Sequence, residues 1–270
     1  MDNHFVEDFT NFCTNLKLYD DVKLISGKFG KVCVVKHTPT NKLLVRKIID
    51  QKNYRPIEPM VHHLMKNNQY FVNLFYAVST LKGTTLILDY IPEGDLFEYV
   101  KTNGSLSEAE TRSIVRQTAS ALNSLHAYNI IHNDIKLENI LYTRLKRIVV
   151  CDYGLCKIRG TESEQDGTVD YYSPEKIKMY DYEESMDWWA LGIMTYELAT
   201  AHHPFKVDKD EILDVEVLNK RIAKRFVAIR KASDRINSFV NQMLEPAYKH
   251  RLRRYSDVIN HPFVNQSTFD

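Results

Sequence analysis

The sequence predicts an α+β protein in which a small antiparallel sheet precedes a larger helical region. Two observations support this fold class. Up to residue 90, runs of β-branched and aromatic residues alternate with turn signals such as Pro-Thr-Asn at 39–41. Beyond residue 94, apolar residues recur at the longer spacing that is typical of helices. Pro92 and Gly94 mark the boundary between the two patterns.

The predicted sheet consists of two hairpins. In each hairpin, two short β-rich segments are separated by a few turn residues, so we expect the strands to pair antiparallel. The four strand segments are 31–36, 43–49, 71–79 and 84–90. All four lie in the region from residue 22 to residue 90.

Residues 1–21 form an N-terminal extension ahead of the sheet. Four of its apolar residues recur at helical spacing, which predicts an amphipathic helix. These residues are Phe5, Phe9, Phe12 and Leu16. Two roles for this apolar stripe stay open: packing on the sheet of its own chain, or contact with a second copy of the chain in a homodimer.

The helical region begins with segment 95–101 and continues with segment 107–128. Ser107 is a favourable residue for the start of the second helix, and Glu110 follows three residues later, as in a capping box. The remainder of the chain keeps the helical spacing of apolar residues. We therefore expect the second half of the protein to be mostly helical.

Charge and composition restrict the function. The chain has 36 Lys and Arg against 35 Asp and Glu, so no overall field favours nucleic acid or an acidic membrane. No apolar run approaches the roughly 20 residues that span a bilayer. The four cysteines show no metal-ligand spacing. We expect a soluble protein with reduced thiols in the cytoplasm or nucleus, without direct nucleic-acid or membrane binding.

A glycine turn and a strand lysine suggest a phosphate site. Gly27 and Gly30 lie between two strand-like runs, where backbone N–H groups can approach phosphate oxygens. In the next strand, alternation places Lys47 on the side of this turn. Glu58 is the one acid between residues 51 and 88, so it is the candidate carboxylate partner of Lys47.

Two polar segments follow apolar runs further along the chain: His-Asn-Asp-Ile-Lys-Leu-Glu-Asn at 132–139 and Asp-Tyr-Gly at 152–154. Taken singly, each is equally typical of an ordinary turn. In order after the glycine turn and the strand lysine, they supply what phosphoryl transfer needs: a phosphate cradle, a cation, a base and metal ligands.

From about residue 22 to residue 263, the sequence resembles the eukaryotic-type protein kinase family. Segment 167–175 ends in Ser-Pro-Glu and is similar to the family's substrate-binding segment, and Asp-Trp-Trp-Ala-Leu-Gly at 187–192 resembles the start of its central buried helix. The resemblance implies a bilobal kinase fold. Residues 22–90 would form the ATP-binding lobe and residues 91–270 the catalytic and substrate lobe of one kinase domain.

The resemblance also implies roles in catalysis. Asp134 would accept or orient the proton of the substrate hydroxyl, and Lys136 would steady the γ-phosphate. Thr168 would hydrogen-bond near both, while Asn139 and Asp152 would hold Mg²⁺. A lysine two residues after the base is the serine/threonine pattern of the family.

For ATP, the resemblance implies that Lys47 binds the α- and β-phosphates and pairs with Glu58. Leu88 would stand behind the adenine, and the backbone from Asp89 to Ile91 would read its edge. The remaining residues implied to line the nucleotide site are Ile25, Gly27, Gly30, Val32, Val45, Asp95 and Cys151.

The sequence departs from the family pattern at several positions. Ile25 replaces the first glycine of the loop, which predicts weaker nucleotide binding. Asn133 replaces an arginine that normally meets a phosphorylated activation loop, and Glu164 falls where the phosphate would lie. We expect activity without loop phosphorylation. Pro56 and Pro59 flank Glu58, so its helix must begin there and be short or irregular.

Three acids match positions that arginine-directed kinases use: Asp95, Glu138 and Glu197. They predict a preference for arginine upstream of the phosphoacceptor. The compact chain and Asn133 make it similar to the baculovirus protein kinase family. That similarity implies an arginine-rich, DNA-condensing viral protein as the substrate, and the host nucleus as the location.

Two other functions compete with an active protein kinase. A pseudokinase scaffold would explain the departures at Ile25, Asn133 and the Glu58 helix, although the retained Lys47 and Asp134 oppose it. A small-molecule phosphotransferase would keep the catalytic loop but has no use for the peptide platform at 167–175.

Overall fold

In a computed structural model of the chain, the residues described are 3–19, 31–81, 83–230 and 232–265. They belong to two units, one within residues 1–68 and 72–92 and the other within residues 69–71 and 93–270. Each unit is described by itself. The predicted glycine-turn residues Ile25, Gly27 and Gly30 lie outside the described residues.

Among its described residues, the first unit contains two α-helices and a sheet. Its elements are α1 (Asn3–Thr14), β1 (Leu16–Leu18), β2 (Lys31–His37), β3 (Lys42–Asp50), α2 (Ile57–Leu64), β4 (Leu74–Thr80) and β5 (Gly83–Asp89). The strands form one antiparallel sheet in the order β1-β2-β3-β5-β4. The two predicted hairpins are confirmed, and β1 is a fifth strand that the sequence pattern did not indicate.

Helix α1 packs on the sheet of its own unit. The ring of Phe12 lies 4.6 Å from that of Tyr76 and 4.9 Å from that of His37, and Phe9 lies 5.2 Å from Tyr76. Leu16 also packs on the sheet, but from strand β1 rather than from the helix, because α1 ends at Thr14. The helical stripe is therefore shorter than predicted, and the side chain of Phe5 lies outside the described ones.

Replacing Phe12 with alanine is expected to lower the free energy of unfolding by about 1 to 2 kcal/mol, since the ring is half-buried against the sheet. Kinase activity is expected to fall with it. Urea titration measures the loss, and exposed Glu7→Ala in the same helix is the matched control. Equal stability of both variants would leave the stripe without an intrachain role, and light scattering would then test the homodimer.

The second unit is largely helical. In chain order its elements are α3 (Leu96–Asn103), α4 (Glu108–His126), β6 (Ile130–Ile131), β7 (Ile140–Tyr142), β8 (Ile148–Val150), β9 (Lys157–Ile158), α5 (Pro174–Ile177), α6 (Glu184–Thr200), α7 (Val215–Lys224), α8 (Asp234–Met243), α9 (Tyr255–Ile259) and α10 (Pro262–Asn265). Strand pairs β6–β9 and β7–β8 form two small antiparallel ladders. The predicted cap of α4 is confirmed, because the Ser107 hydroxyl accepts the N–H of Glu110 at 3.2 Å.

Helix α6 is buried on nearly all sides and forms the core of the second unit. Trp188 and Trp189 are fully buried, as a helix that is apolar all round requires. Helix α8 approaches so closely that a Cβ at Gly192 would lie 2.7 Å from the Cβ of Met243. Glycine at this position permits the close packing of α6 on α8. Among the described residues, no helix has the length and apolar character needed to cross a membrane.

Candidate active site

The first unit holds Lys47 in a buried ion pair. Strand β3 places Val45 and Lys47 on one side, and the Lys47 Nζ lies 2.7 Å from Glu58 Oε1. Lys47 is 8% exposed and Glu58 3% exposed, so both charges are almost fully removed from water. Removing either side chain would leave the other as an uncompensated buried charge, which lowers the stability of the fold strongly.

Helix α2 presents Glu58 despite the two prolines. Pro56 occupies the position before the helix and Pro59 lies in its first turn, where a missing N–H costs no helical hydrogen bond. The helix begins at Ile57 and is eight residues long, as expected for a short helix that starts between the two prolines. The prolines therefore fix the start of the helix and leave the Lys47 pair intact.

Of the other predicted nucleotide residues that the structure describes in this unit, Val32 lies on β2, Leu88 and Asp89 lie on β5, and Ile91 follows β5. Val32 is opposite Lys47 in the sheet register, and Leu88 is opposite Val45. Leu88 is buried. The N–H of Asp89 donates to the Asn73 carbonyl at 3.1 Å, so this N–H is already used within the sheet.

In the second unit, four predicted catalytic residues lie in one hydrogen-bonded group. The Asn139 amide donates to the Asp134 carboxylate at 2.9 Å and to its backbone carbonyl at 2.7 Å. The Thr168 hydroxyl donates to the other carboxylate oxygen at 2.7 Å, and Lys136 Nζ lies 3.2 Å from the first. Lys136 also donates to Thr168 at 2.8 Å. These contacts fix the orientation of the Asp134 carboxylate.

The Asp187 carboxylate accepts hydrogen bonds from the backbone of the two residues before Asp134. One Asp187 oxygen accepts the N–H of Asn133 at 2.9 Å, and the other accepts the N–H of His132 at 2.8 Å. Burial opposes ionisation of this carboxyl, but the hydrogen bond with His126 at 2.8 Å, the charges of His126 and His132 and the N–H of His132 together outweigh it and lower the pKa. Asn133 has a φ of 65°, in the left-handed region that asparagine adopts more readily than most residues.

The predicted metal ligands come from adjacent backbone segments. The N–H of Cys151 donates to the Asn139 carbonyl at 3.0 Å, which holds the chain next to Asp152 against the catalytic loop. The amide nitrogen of Asn139 is engaged with Asp134, so its amide oxygen is the atom that remains for a ligand. A carboxylate and an amide oxygen are hard donors that suit Mg²⁺, with phosphate and water oxygens completing the shell.

The three predicted substrate acids influence one another electrostatically. Burial, and then the charges of Asp95 and Asp134, raise the pKa of Glu138. Burial and the Glu138 carboxylate raise the pKa of Glu197 to about 8. Glu197 also accepts a short hydrogen bond from the hydroxyl of Tyr171, a residue that the sequence did not single out. Asp95 has a second role, since its carboxylate accepts the N–H of Glu98 and caps α3.

The second unit also contains an ion pair with both partners buried. Arg251 donates to Glu175 at 2.8 Å, with both side chains nearly inaccessible. The expected role of Glu164 needs a correction. Its carboxylate contacts Lys157 at 2.6 Å but is 68% exposed, whereas Asp166 is the loop acid that contacts Asn133. The sequence pattern singled out Glu164 and did not indicate Asp166.

The sequence of this chain is similar to those of known protein kinases. Residues 19–264 match the protein kinase domain. The serine/threonine-protein kinase 1 of Heliothis zea nuclear polyhedrosis virus is 50% identical, over 98% of this chain and 100% of the relative. The corresponding kinase of Lymantria dispar multicapsid nuclear polyhedrosis virus is 46% identical, over 93% and 92%. The solved structure of the Cydia pomonella granulovirus kinase PK-1 matches with a TM-score of 0.90 and 36% identity, over 97% of this chain and 99% of that one.

Proposed function

This chain belongs to the protein kinase family and is a serine/threonine-protein kinase, and on that premise we propose that it transfers the γ-phosphoryl group of ATP, with Mg²⁺, to a basic protein substrate. The observation that carries the proposal is the group around Asp134. Its carboxylate is buried, oriented by Asn139 and Thr168, and accompanied by the cation of Lys136.

Each residue of this group has a defined task. The Asp134 carboxylate accepts a hydrogen bond from the serine or threonine hydroxyl and orients its oxygen toward the γ-phosphorus. Lys136 balances negative charge on the phosphoryl oxygens, and Thr168 keeps Lys136 beside Asp134. Asn139 and Asp152 would hold Mg²⁺, which when bound neutralises charge on the phosphates. Lys47, oriented by Glu58, would bind the α- and β-phosphates.

The preference for arginine upstream of the acceptor is supported by the electrostatics of the substrate acids. Burial, and then the charge of Asp95 on Glu138 and of Glu138 on Glu197, raise the pKa of the two glutamates, and a guanidinium group would compensate those charges. An arginine-rich, DNA-condensing viral protein fits this chemistry. The relatives are kinases of viruses, and we propose the host nucleus as the location of this one.

Removing two of the acids is expected to remove the arginine preference. Each partly buried Arg–carboxylate contact contributes about 1 to 3 kcal/mol, which is tenfold or more in kcat/KM. The measurement uses radiolabelled ATP with peptides that differ by one upstream arginine, on wild type and on Glu138→Gln with Glu197→Gln. Glu216→Gln, an exposed change on α7, is the matched control. An undiminished preference in the double variant would contradict the proposal.

The same preference is expected to depend on pH. Glu197 is neutral below its pKa of about 8 and charged above it, and an arginine needs the charged form. The KM for the arginine peptide should therefore fall as pH rises through 8, while Glu197→Gln should lose this dependence. The groups facing Glu197 are Tyr171, Glu138, Asp170 and Lys206.

We also propose that activity does not need phosphorylation of the activation loop. One candidate acceptor, Ser163, is 5% exposed, and the other, Thr161, has its hydroxyl bonded to the Ile158 carbonyl at 2.7 Å. Treatment with a phosphatase is expected to leave kcat unchanged. A large loss that returns only with phosphate on Thr161 or Ser163, located by mass spectrometry, would overturn this part of the proposal.

A further inference from the structure

Asp166 is the centre of a polar cluster beside the catalytic loop. One carboxylate oxygen lies 2.7 Å from Lys176 Nζ and accepts the Tyr182 hydroxyl at 2.7 Å and the Asn133 amide at 3.0 Å. The other lies 2.8 Å from Lys157 Nζ. We call these five residues the Asp166 cluster. It joins strand β9, helix α5 and the loop that contains Asn133.

Lys176 is the most buried of the charged residues in the cluster. Its side chain is 4% exposed, and its Nζ lies 4.3 Å from the centre of the Tyr182 ring and 3.1 Å from the Asn133 amide oxygen. Burial lowers the pKa of Lys176, although Asp166 opposes the shift. Within the described part of the chain, its one ion pair is with Asp166. The carboxylate therefore compensates a buried cation.

The cluster includes residues close in sequence to both partners of the Thr168–Asp134 contact. Asn133 directly precedes Asp134, and Asp166 precedes Gly167 and Thr168. Gly167 has a φ of 90°, and a Cβ there would lie 2.8 Å from the Asn133 carbonyl, so the two segments are in close contact. The next residue, Thr168, donates to Asp134 at 2.7 Å. Displacing Asp166 from Asn133 would therefore displace Thr168 from Asp134.

We propose that Asp166 is a positioning residue for phosphoryl transfer: its carboxylate, held by Lys157 and Lys176, binds Asn133 and does permanently what a phosphorylated loop residue does in regulated kinases. The inference rests on the proposed function, and in it the Asp166 carboxylate takes the place of the loop phosphate. Asp166 holds the peptide-binding segment against the catalytic loop without any modification. The arginine that the family often has before the base becomes unnecessary, because the uncharged amide of Asn133 donates a hydrogen bond to the Asp166 carboxylate directly.

Glu164 is a natural control for this inference, since it lies two residues away and shares the partner Lys157. Its exposed ion pair contributes little, because water and salt screen it. Among the contacts of the described residues, none joins the Glu164 carboxylate to Asn133 or Lys176. Loss of the Glu164 charge and loss of the Asp166 charge should thus have different consequences, although both remove one acid from the same loop.

The test measures kcat, the KM for ATP and the KM for a basic protein substrate in Asp166→Asn and Glu164→Gln. For Asp166→Asn we expect kcat to fall by on the order of 100-fold, the effect of a small displacement of catalytic groups, with the KM for ATP nearly unchanged. Glu164→Gln should retain wild-type kcat and melting temperature. Equal behaviour of the two variants would overturn the inference.

A third variant separates positioning from simple stabilisation. Asp166→Asn combined with Lys176→Met removes the buried cation together with its carboxylate, so the melting temperature should recover while kcat stays low. Recovery of kcat with stability would mean that Asp166 only compensates Lys176, and would overturn the inference. If Asp166→Asn retains kcat while Asp134→Asn is inactive, the inference fails and the proposed function stands. If wild type phosphorylates no protein, both fail.

Discussion

Asp134→Asn is expected to lower kcat by about 10² to 10⁴-fold, the range for loss of a positioned acid or base. Both carboxylate oxygens of Asp134 accept hydrogen bonds, from Asn139 on one side and Thr168 on the other. An asparagine side chain has one acceptor oxygen and presents an NH₂ group to the other donor. The substitution therefore removes the negative charge and also disturbs the orientation of the side chain.

Single-turnover phosphoryl transfer with radiolabelled ATP measures this effect. A modest loss of stability accompanies it, because a displaced buried hydrogen bond costs about 1 to 3 kcal/mol. The melting temperature must therefore be recorded, and Asp210→Asn, at an exposed position of the same unit, is the control. A folded Asp134→Asn protein with near wild-type kcat would refute the catalytic assignment.

Glu58→Gln is expected to lower stability and kcat/KM for ATP together. It removes the carboxylate 2.7 Å from Lys47 Nζ in an almost completely buried position, and breaking such a pair costs about 3 to 5 kcal/mol. The Lys47 side chain is then no longer oriented toward the phosphates. The exposed pair of Lys101 with Glu98 gives the contrast, since Glu98→Gln should change stability by less than about 0.5 kcal/mol.

A second substitution distinguishes the two effects of Glu58→Gln. Adding Lys47→Met removes the buried cation, so the melting temperature should rise toward that of wild type. Activity should stay low, because the phosphate-binding cation is now missing. Calorimetry and an ATP titration of the rate measure the two quantities separately. If the double variant regained activity, Lys47 would have no part in nucleotide binding.

Local sequence signals were sufficient for many elements. Ser107 and Glu110 predict the start of α4 because a helix cap involves groups only three residues apart. Alternation along β3 predicts the side of the sheet on which Lys47 lies. Glu58 is the one acid available between the strands, so elimination identifies the partner that the structure places at 2.7 Å. Each of these inferences depends on short-range geometry or on the count of suitable residues.

The end of the N-terminal stripe shows where such signals stop. Leu16 continues the helical spacing of Phe9 and Phe12, yet it lies in strand β1. Residues 16–18 could have added one more turn to α1. Instead their backbone pairs with residues 35–37 of β2. Periodicity records which side chains are apolar. Which element carries them there depends on the hydrogen-bond partners that the rest of the sheet offers.

The sequence by itself determined the class of chemistry, because the order and spacing of Lys47, Asp134, Asn139 and Asp152 are properties of the linear chain. The tertiary structure decided which loop acid has a buried partner. Glu164 and Asp166 are two residues apart and chemically alike, but Lys176 and Tyr182 reach only Asp166 among the described contacts of the two carboxylates. The physical reason is that desolvation and charge compensation depend on neighbours from distant parts of the chain, and no local pattern records those neighbours.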